Sequence, residues 1–502
     1  MIEEKPLGGF RLSFVSFQFL LFFPIVGLIY FAIPHKFHWI WLLAASYYFL
    51  MSWNPYYAIL LFLSTITTWL SGFLIGRSAE FPNLRHPARK KLWLILSLVF
   101  NLGILFVFKY LNFFCELSAA LLHTFGVPAA QMHFDLLLPV GISFYTFQAL
   151  GYSIDVYRGV IKPEKNFGRY ALFVSFFPQL VAGPIARYKD MLSQFREVHS
   201  FDYERAKRGF LLMLWGYFQK MVVADRLKTL VDTVYNSPQS HYGPDVIVAT
   251  IFFAFQLYCD FSGYSDIAIG AAEVMGFRLA KNFDAPYFSV SIKDFWRRWH
   301  ITLGTWLRDY LYIPLGGNRC SKLRRYGNLM AVFLVCGLWH GASLSFLVWG
   351  AFHGLYQIIG LLTKSARQRL QNRMHIPQDA FWLKAMRIGC TFLLTDFAWI
   401  FFRAKGLSSA LLLIRNLFRF SAWDGSLLNL GLPIPELCAA LLGIAAVLAA
   451  DFLNRRYDLS GLFLKQKPFS QWAICTAALF LIAVFGIYGP FNASGQFIYS
   501  QF

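Results

Sequence analysis

Apolar runs of bilayer length recur along almost the whole of this chain, and they constrain its fold more than any motif does. A hydrocarbon core about 30 Å thick takes roughly 20 apolar residues as a helix. The first run extends from about Phe14 to Ile33, and others lie near 38–53, 56–75, 91–114, 136–154, 168–186, 208–224, 245–275, 328–340, 343–363, 388–403, 434–452 and 470–488. Only 14% of the 502 residues are charged, against about 25% in a soluble domain. The expectation is an all-α polytopic membrane protein with about ten to twelve transmembrane helices. The first run follows Glu3, Glu4, Lys5 and Arg11 without a small-residue cleavage site, so it is expected to stay as a span.

The formal net charge of +20 clusters between the apolar runs. Cytoplasmic loops and anionic lipid headgroups explain that placement, and nucleic acid is not an expected partner. Arg77, Arg85, Arg89, Lys90 and Lys91 follow the third run. If they are cytoplasmic, the amino terminus lies outside. The seven cysteines are scattered and form no C-x-x-C pair, so neither a zinc or other metal site nor a disulfide framework is expected.

Several runs are too irregular to be plain spans. Pro139, Gly141 and Gly151 interrupt one, and Pro178, Gly183 and Pro184 interrupt another. Unpaired backbone groups cost several kcal/mol in lipid, so such breaks belong inside protein or along a wet cavity. Asp260, Asp266 and Glu273 sit in a further apolar run. Carboxylates at that depth need partners, and Arg297, Arg298 or Arg308 are the expected ones. A transporter or channel would instead use these three with Lys109 as an ion path.

The stretch from Asp294 to His340 carries the strongest chemical signal. At helical spacing it sets Phe295, Trp299, Leu303, Trp306, Tyr310 and Leu311 on one apolar stripe, with His300 beside it. An amphipathic helix rich in tryptophan and arginine suits an interfacial or re-entrant position. His340 ends a short apolar run among small residues, Cys336 and Gly337 before it and Gly341, Ala342 and Ser343 after. Small neighbours leave room for a ligand or for close helix packing.

The strings FSGYSDIAIG, NFDAPYF, DFWRRWHITLGTWLRDYLYIPLGGNR and GLWHGAS resemble the signature of the membrane-bound O-acyltransferase family, in its bacterial branch that acetylates exported polysaccharides. LPVGISFYTFQALGYSIDVYRG, PQLVAGPIARY and the terminal FIYSQF agree with it, while Thr302, Gly304 and Ser500 depart from the usual pattern. The resemblance implies one integral domain over residues 1–502, with a core near 135–363 and peripheral helices in 1–134 and 380–502. Its helices would enclose a central funnel or tunnel between a cytoplasmic donor and an external acceptor, with re-entrant and interfacial helices around it. His340 matches the family's essential histidine, and His300 is the partner histidine of its WH motif.

Acyl transfer suits these residue types, because a neutral imidazole can take the proton of an attacking hydroxyl near physiological pH. His300, Trp299 or a backbone N–H are the candidates to stabilise the oxyanion. Acetyl-CoA is the expected donor, used as a substrate and not tightly bound. No phosphate-cradling loop identifies it, and the candidate contacts are Arg319, Lys322, Arg324 and Arg325, which could equally be a cytoplasmic loop obeying the positive-inside rule. The acceptor is expected to be an extracytoplasmic polysaccharide, alginate-like, cellulose-like or peptidoglycan. A separate exported acetyltransferase would complete the transfer, and the setting would be a bacterial inner membrane. The sister activity is transfer of D-alanine or another acyl group from a carrier protein to a wall polymer.

Overall fold

The computed structural model describes residues 12–80, 87–128, 132–377, 380–423 and 430–488. Arg85, the amino-terminal charges and the terminal FIYSQF lie outside the described residues. Every regular element among the described residues is helical. Among the described residues, seven helices are long and apolar enough to cross a membrane: Pro55–Ser78, Ala88–Thr124, Pro244–Val274, Leu344–Leu362, Phe381–Arg403, Ile434–Asn454 and Pro468–Phe485. The chain is thus an all-α, multi-pass membrane protein. Its outward side chains agree, since Leu28, Leu442 and Trp472 are largely exposed, as hydrocarbon-facing residues should be.

The other apolar runs fold as shorter or interrupted helices, with breaks at Gly141 and near Pro178, whereas Gly151, expected to interrupt its run, lies inside the continuous Ile142–Tyr157 helix. Gly141 takes φ +77° and starts the Ile142–Tyr157 helix. The run around Pro178 divides into Phe167–Ser175 and Phe177–Leu180. Three π-helical turns among the described residues, Phe106–Tyr110, Phe218–Ala224 and Arg308–Tyr312, adjust register where polar side chains must be paired.

Two compact units are formed, Met1–Met213 with Ile267–Ala280, and Leu214–Asp266 with Lys281–Phe502. In the first, Lys109 Nζ donates to Ser143 Oγ at 3.2 Å, and Glu273 pairs with Arg208 at 3.1 Å. In the second, the π-helical turn Phe218–Ala224 carries Lys220, whose Nζ lies 2.7 Å from Asp225 and 2.6 Å from Asp260. Gln219 Nε2 donates to Asp266 at 2.8 Å. Two of the arginines expected to hold these carboxylates pair elsewhere, Arg298 with Asp294 and Asp284, and Arg308 with Asp309, and among the described residues Arg297 holds none of the three. For Asp260 and Asp266 the nearer partners, Lys220 and Gln219, come from a turn whose π register helical periodicity does not anticipate, and for Glu273 the partner is Arg208 on the Tyr203–Tyr217 helix.

Candidate active site

Two structural devices, both in the second unit, place the histidines. The first is a hairpin of the helices Lys322–His340 and Leu344–Leu362, joined by Gly341, Ala342 and Ser343. A Cβ on Gly337 would come within 2.3 Å of the Phe346 carbonyl oxygen, and one on Gly350 within 2.3 Å of that of Phe333. Glycine at these two positions lets the backbones touch, and the touch fixes His340 at the tip. As the last residue of its helix, His340 sits at the carbonyl end, where the helix dipole favours the imidazolium that forms when the ring takes a proton. The ring is 2% exposed and meets Trp339 at 4.9 Å, Trp349 at 5.0 Å and Phe402 at 5.2 Å.

The second device is a break. The stripe read as one helix is two, Ile292–Arg298 and Ile301–Leu307, with the chain turning at Trp299 and His300. His300 has φ +43° and ψ +55°, the left-handed region, at a cost of about 1–3 kcal/mol for a residue with a side chain. Asn282 holds the turn. Its carbonyl accepts Ile301 N–H at 2.9 Å, and its side-chain Oδ1 accepts the Thr302 hydroxyl at 2.9 Å and Thr302 N–H at 3.4 Å. His300 Nδ1 lies 3.1 Å from that same oxygen. An oxygen engaged by those donors can only accept, so Nδ1 carries the proton and Nε2 is the accepting nitrogen of the neutral ring. The neutral ring thus offers an acceptor, not a donor, at Nε2.

His300 is fully buried against Phe261 at 4.7 Å and Trp339 at 5.7 Å. Trp339 thus stands against both histidines. Around them Trp299 meets Trp399 at 5.1 Å, and Trp399 stacks on Trp349 at 5.6 Å. Two imidazoles in an aromatic enclosure, one with its tautomer fixed by an amide, form an arrangement suited to moving a proton away from bulk water.

Comparison with known proteins bears on what such a site belongs to. The sequence model of MBOAT, the membrane-bound O-acyltransferase family, matches residues 161–395. The chain is 39% identical over 442 residues to the "Probable alginate O-acetylase AlgI" of Pseudomonas aeruginosa, covering 87% of this chain and 81% of that protein. The chain belongs to the membrane-bound O-acyltransferase family. A peptidoglycan O-acetyltransferase of Helicobacter pylori is 36% identical over 83% of the chain and 80% of its own length. A teichoic acid D-alanyltransferase of Streptococcus thermophilus is 29% identical over 51% of the chain and 66% of its own length.

In this O-acyltransferase the basic candidates lie at the far end of the His340 helix. Lys322 and Arg324 stand in its first turn, with Arg325 next and Arg319 just before. The helix has 19 residues, which at ~1.5 Å per residue puts Lys322 about 27 Å from His340. Cations at a helix amino terminus oppose its dipole, and no ion pair to any of the four occurs among the described residues.

Two members of the site were not singled out from the sequence. Asn282 lies in the NFDAPYF string, but nothing in that string marks its side chain as the acceptor for a histidine. His353 is fully buried and touches Trp349 at 5.0 Å. The signal for it is an echo, Gly350-Ala351-Phe352-His353-Gly354 after Gly337-Leu338-Trp339-His340-Gly341.

Proposed function

We propose that this O-acyltransferase moves acetyl groups from cytoplasmic acetyl-CoA across a bacterial inner membrane for O-acetylation of an exported polysaccharide. The observation that carries the reading is the pair of histidines against Trp339, with the His300 tautomer set by Asn282. In the transfer, an acceptor hydroxyl attacks the thioester carbonyl and loses its proton to His340. The tetrahedral intermediate then collapses, and the thiolate leaves with that proton. The reacting hydroxyl gives its single proton to His340, so His300 Nε2 accepts instead from a neighbouring hydroxyl of the acceptor and orients it. Such base catalysis is worth about 10²–10⁴ in rate, and positioning with oxyanion stabilisation supplies the remainder.

Acetyl is favoured over D-alanine because the two O-acetylating relatives match more than four fifths of the chain, whereas the D-alanyltransferase matches 51% of it. The four basic residues at the far end of the His340 helix suit the phosphates of CoA. A separate exported acetyltransferase would receive the group on the outer side, and the acceptor would be alginate-like, cellulose-like or peptidoglycan.

The test is the acetyl content of the exported polymer in cells carrying only His340→Ala. Loss of acetylation with normal amounts of the variant in the membrane is expected. Near wild-type acetylation would remove His340 from the mechanism.

A further inference from the structure

A buried N–H without an acceptor costs about 1–3 kcal/mol, so a protein that retains one inside an aromatic cluster needs a reason. Four such nitrogens surround the His340 enclosure among the described residues: Nε1 of Trp299, Trp349 and Trp399, and Nε2 of His353. The state of the last can be deduced. Trp296 Nε1 can only donate, and it lies 3.2 Å from His353 Nδ1. Nδ1 therefore accepts, and the neutral ring carries its proton on Nε2. His353 is thus the opposite tautomer to His300: one offers an acceptor at Nε2, the other a donor.

Packing alone does not account for an imidazole here. The ring stacks on Phe295 at 6.3 Å and on Phe333 at 6.2 Å, and accepting from Trp296 needs only Nδ1, so the Nε2–H is a second polar group that neither contact uses. Its position is informative as well. Trp349, one turn earlier on the same helix, touches His340. Phe333 stands two turns before His340 on the facing helix, about 10 Å along it. The basic residues lie further in the same direction. A donor with its thioester at His340 and its anionic end at Lys322 runs past the level of His353.

We propose that His353 is a binding residue for the arm of the acyl donor, its Nε2–H donating to an amide carbonyl oxygen behind the thioester. This rests on the acetyl-transfer reading. Amide carbonyls of this kind occur both in CoA and in the prosthetic arm of an acyl carrier protein, so the ligand chemistry is a thioester on an amide-bearing arm.

The experiment measures thiol release by the full-length protein in proteoliposomes supplied with a soluble polysaccharide acceptor and its exported partner. Four donors are compared: acetyl-CoA, an acetylated carrier protein, S-acetyl-N-acetylcysteamine, and S-ethyl thioacetate, which has no amide. For His353→Phe the expected result is a KM raised roughly 10-fold for amide-bearing donors with kcat nearly unchanged, the signature of lost uniform binding. S-ethyl thioacetate should be used equally well by variant and wild type. His353→Gln, whose amide N–H₂ reaches the Nε2 position, should recover most of the loss. His353→Asn, which keeps only an acceptor for Trp296, should not. Turnover with only the carrier protein or only acetyl-CoA would name the source of the arm, and either supports the proposal if the amide dependence holds. Equal losses on S-ethyl thioacetate, or rescue by Asn as good as by Gln, would overturn it while leaving acetyl transfer intact. Absence of wild-type turnover with every thioester would overturn both.

Discussion

Removal of the Asn282 side chain tests whether an amide sets the chemistry of His300. In Asn282→Ala the oxygen that accepts from His300 Nδ1–H and from Thr302 is gone. The Thr302 hydroxyl can turn to another acceptor, but the His300 donor, in a ring with no exposed surface, is tied to its backbone turn. An abandoned buried donor of this kind costs about 1–3 kcal/mol. The ring escapes part of that cost by moving its proton to Nε2, which is the tautomer that cannot accept from a hydroxyl. At 1.36 kcal/mol per tenfold, the catalytic loss is roughly 5- to 160-fold in kcat. Asn282→Asp keeps the acceptor and should retain more activity than Asn282→Ala, with an altered pH profile because a carboxylate favours the imidazolium. The assay is polysaccharide acetylation in membranes, paired with thermal unfolding in detergent. Activity of Asn282→Ala within about twofold of wild type would refute the tautomer argument. So would a matched fall in activity and stability that Asn282→Asp does not relieve.

Three further outcomes follow from other parts of the molecule. Gly350→Val should force the hairpin open, because its Cβ would lie 2.3 Å from a backbone oxygen; a melting temperature and activity like wild type would contradict the packing account. Lys220→Met leaves the carboxylates of Asp225 and Asp260 buried without their cation, a loss of about 3–5 kcal/mol in comparable pairs. That variant should fail to accumulate in the membrane, whereas Lys220→Met with Asp225→Asn and Asp260→Asn should recover. A cysteine at Arg85 should be labelled only from the cytoplasmic side, and labelling of intact cells by an impermeant thiol reagent would reverse the topology.

The two histidines were legible in the sequence because each stands in a setting that bulk apolar packing does not require: tryptophan and arginine around His300, small residues around His340. The breaks at Gly141 and Pro178 were legible for the same reason, since glycine and proline act locally. The turn at His300 was not. A left-handed conformation at a residue with a side chain has no local signature, and the stripe from Phe295 to Leu311 keeps helical spacing across it. Nor were the partners of Asp260 and Asp266 legible, because Lys220 and Gln219 are set by a π-helical turn and by contacts distant in sequence. His353 reads as one more apolar-helix histidine until Trp296 is seen to donate to it.

The most direct measurement of the central claim is sided acetyl transfer in liposomes. The purified protein is reconstituted with labelled acetyl-CoA on the face carrying the Arg77–Lys91 segment and polysaccharide on the other, with and without an exported acetyltransferase. The account predicts labelled polymer only when wild-type protein and the partner are both present, and none with His340→Ala. Efficient labelling without the partner would show that this chain completes the transfer itself, and labelling with His340→Ala would contradict the mechanism outright.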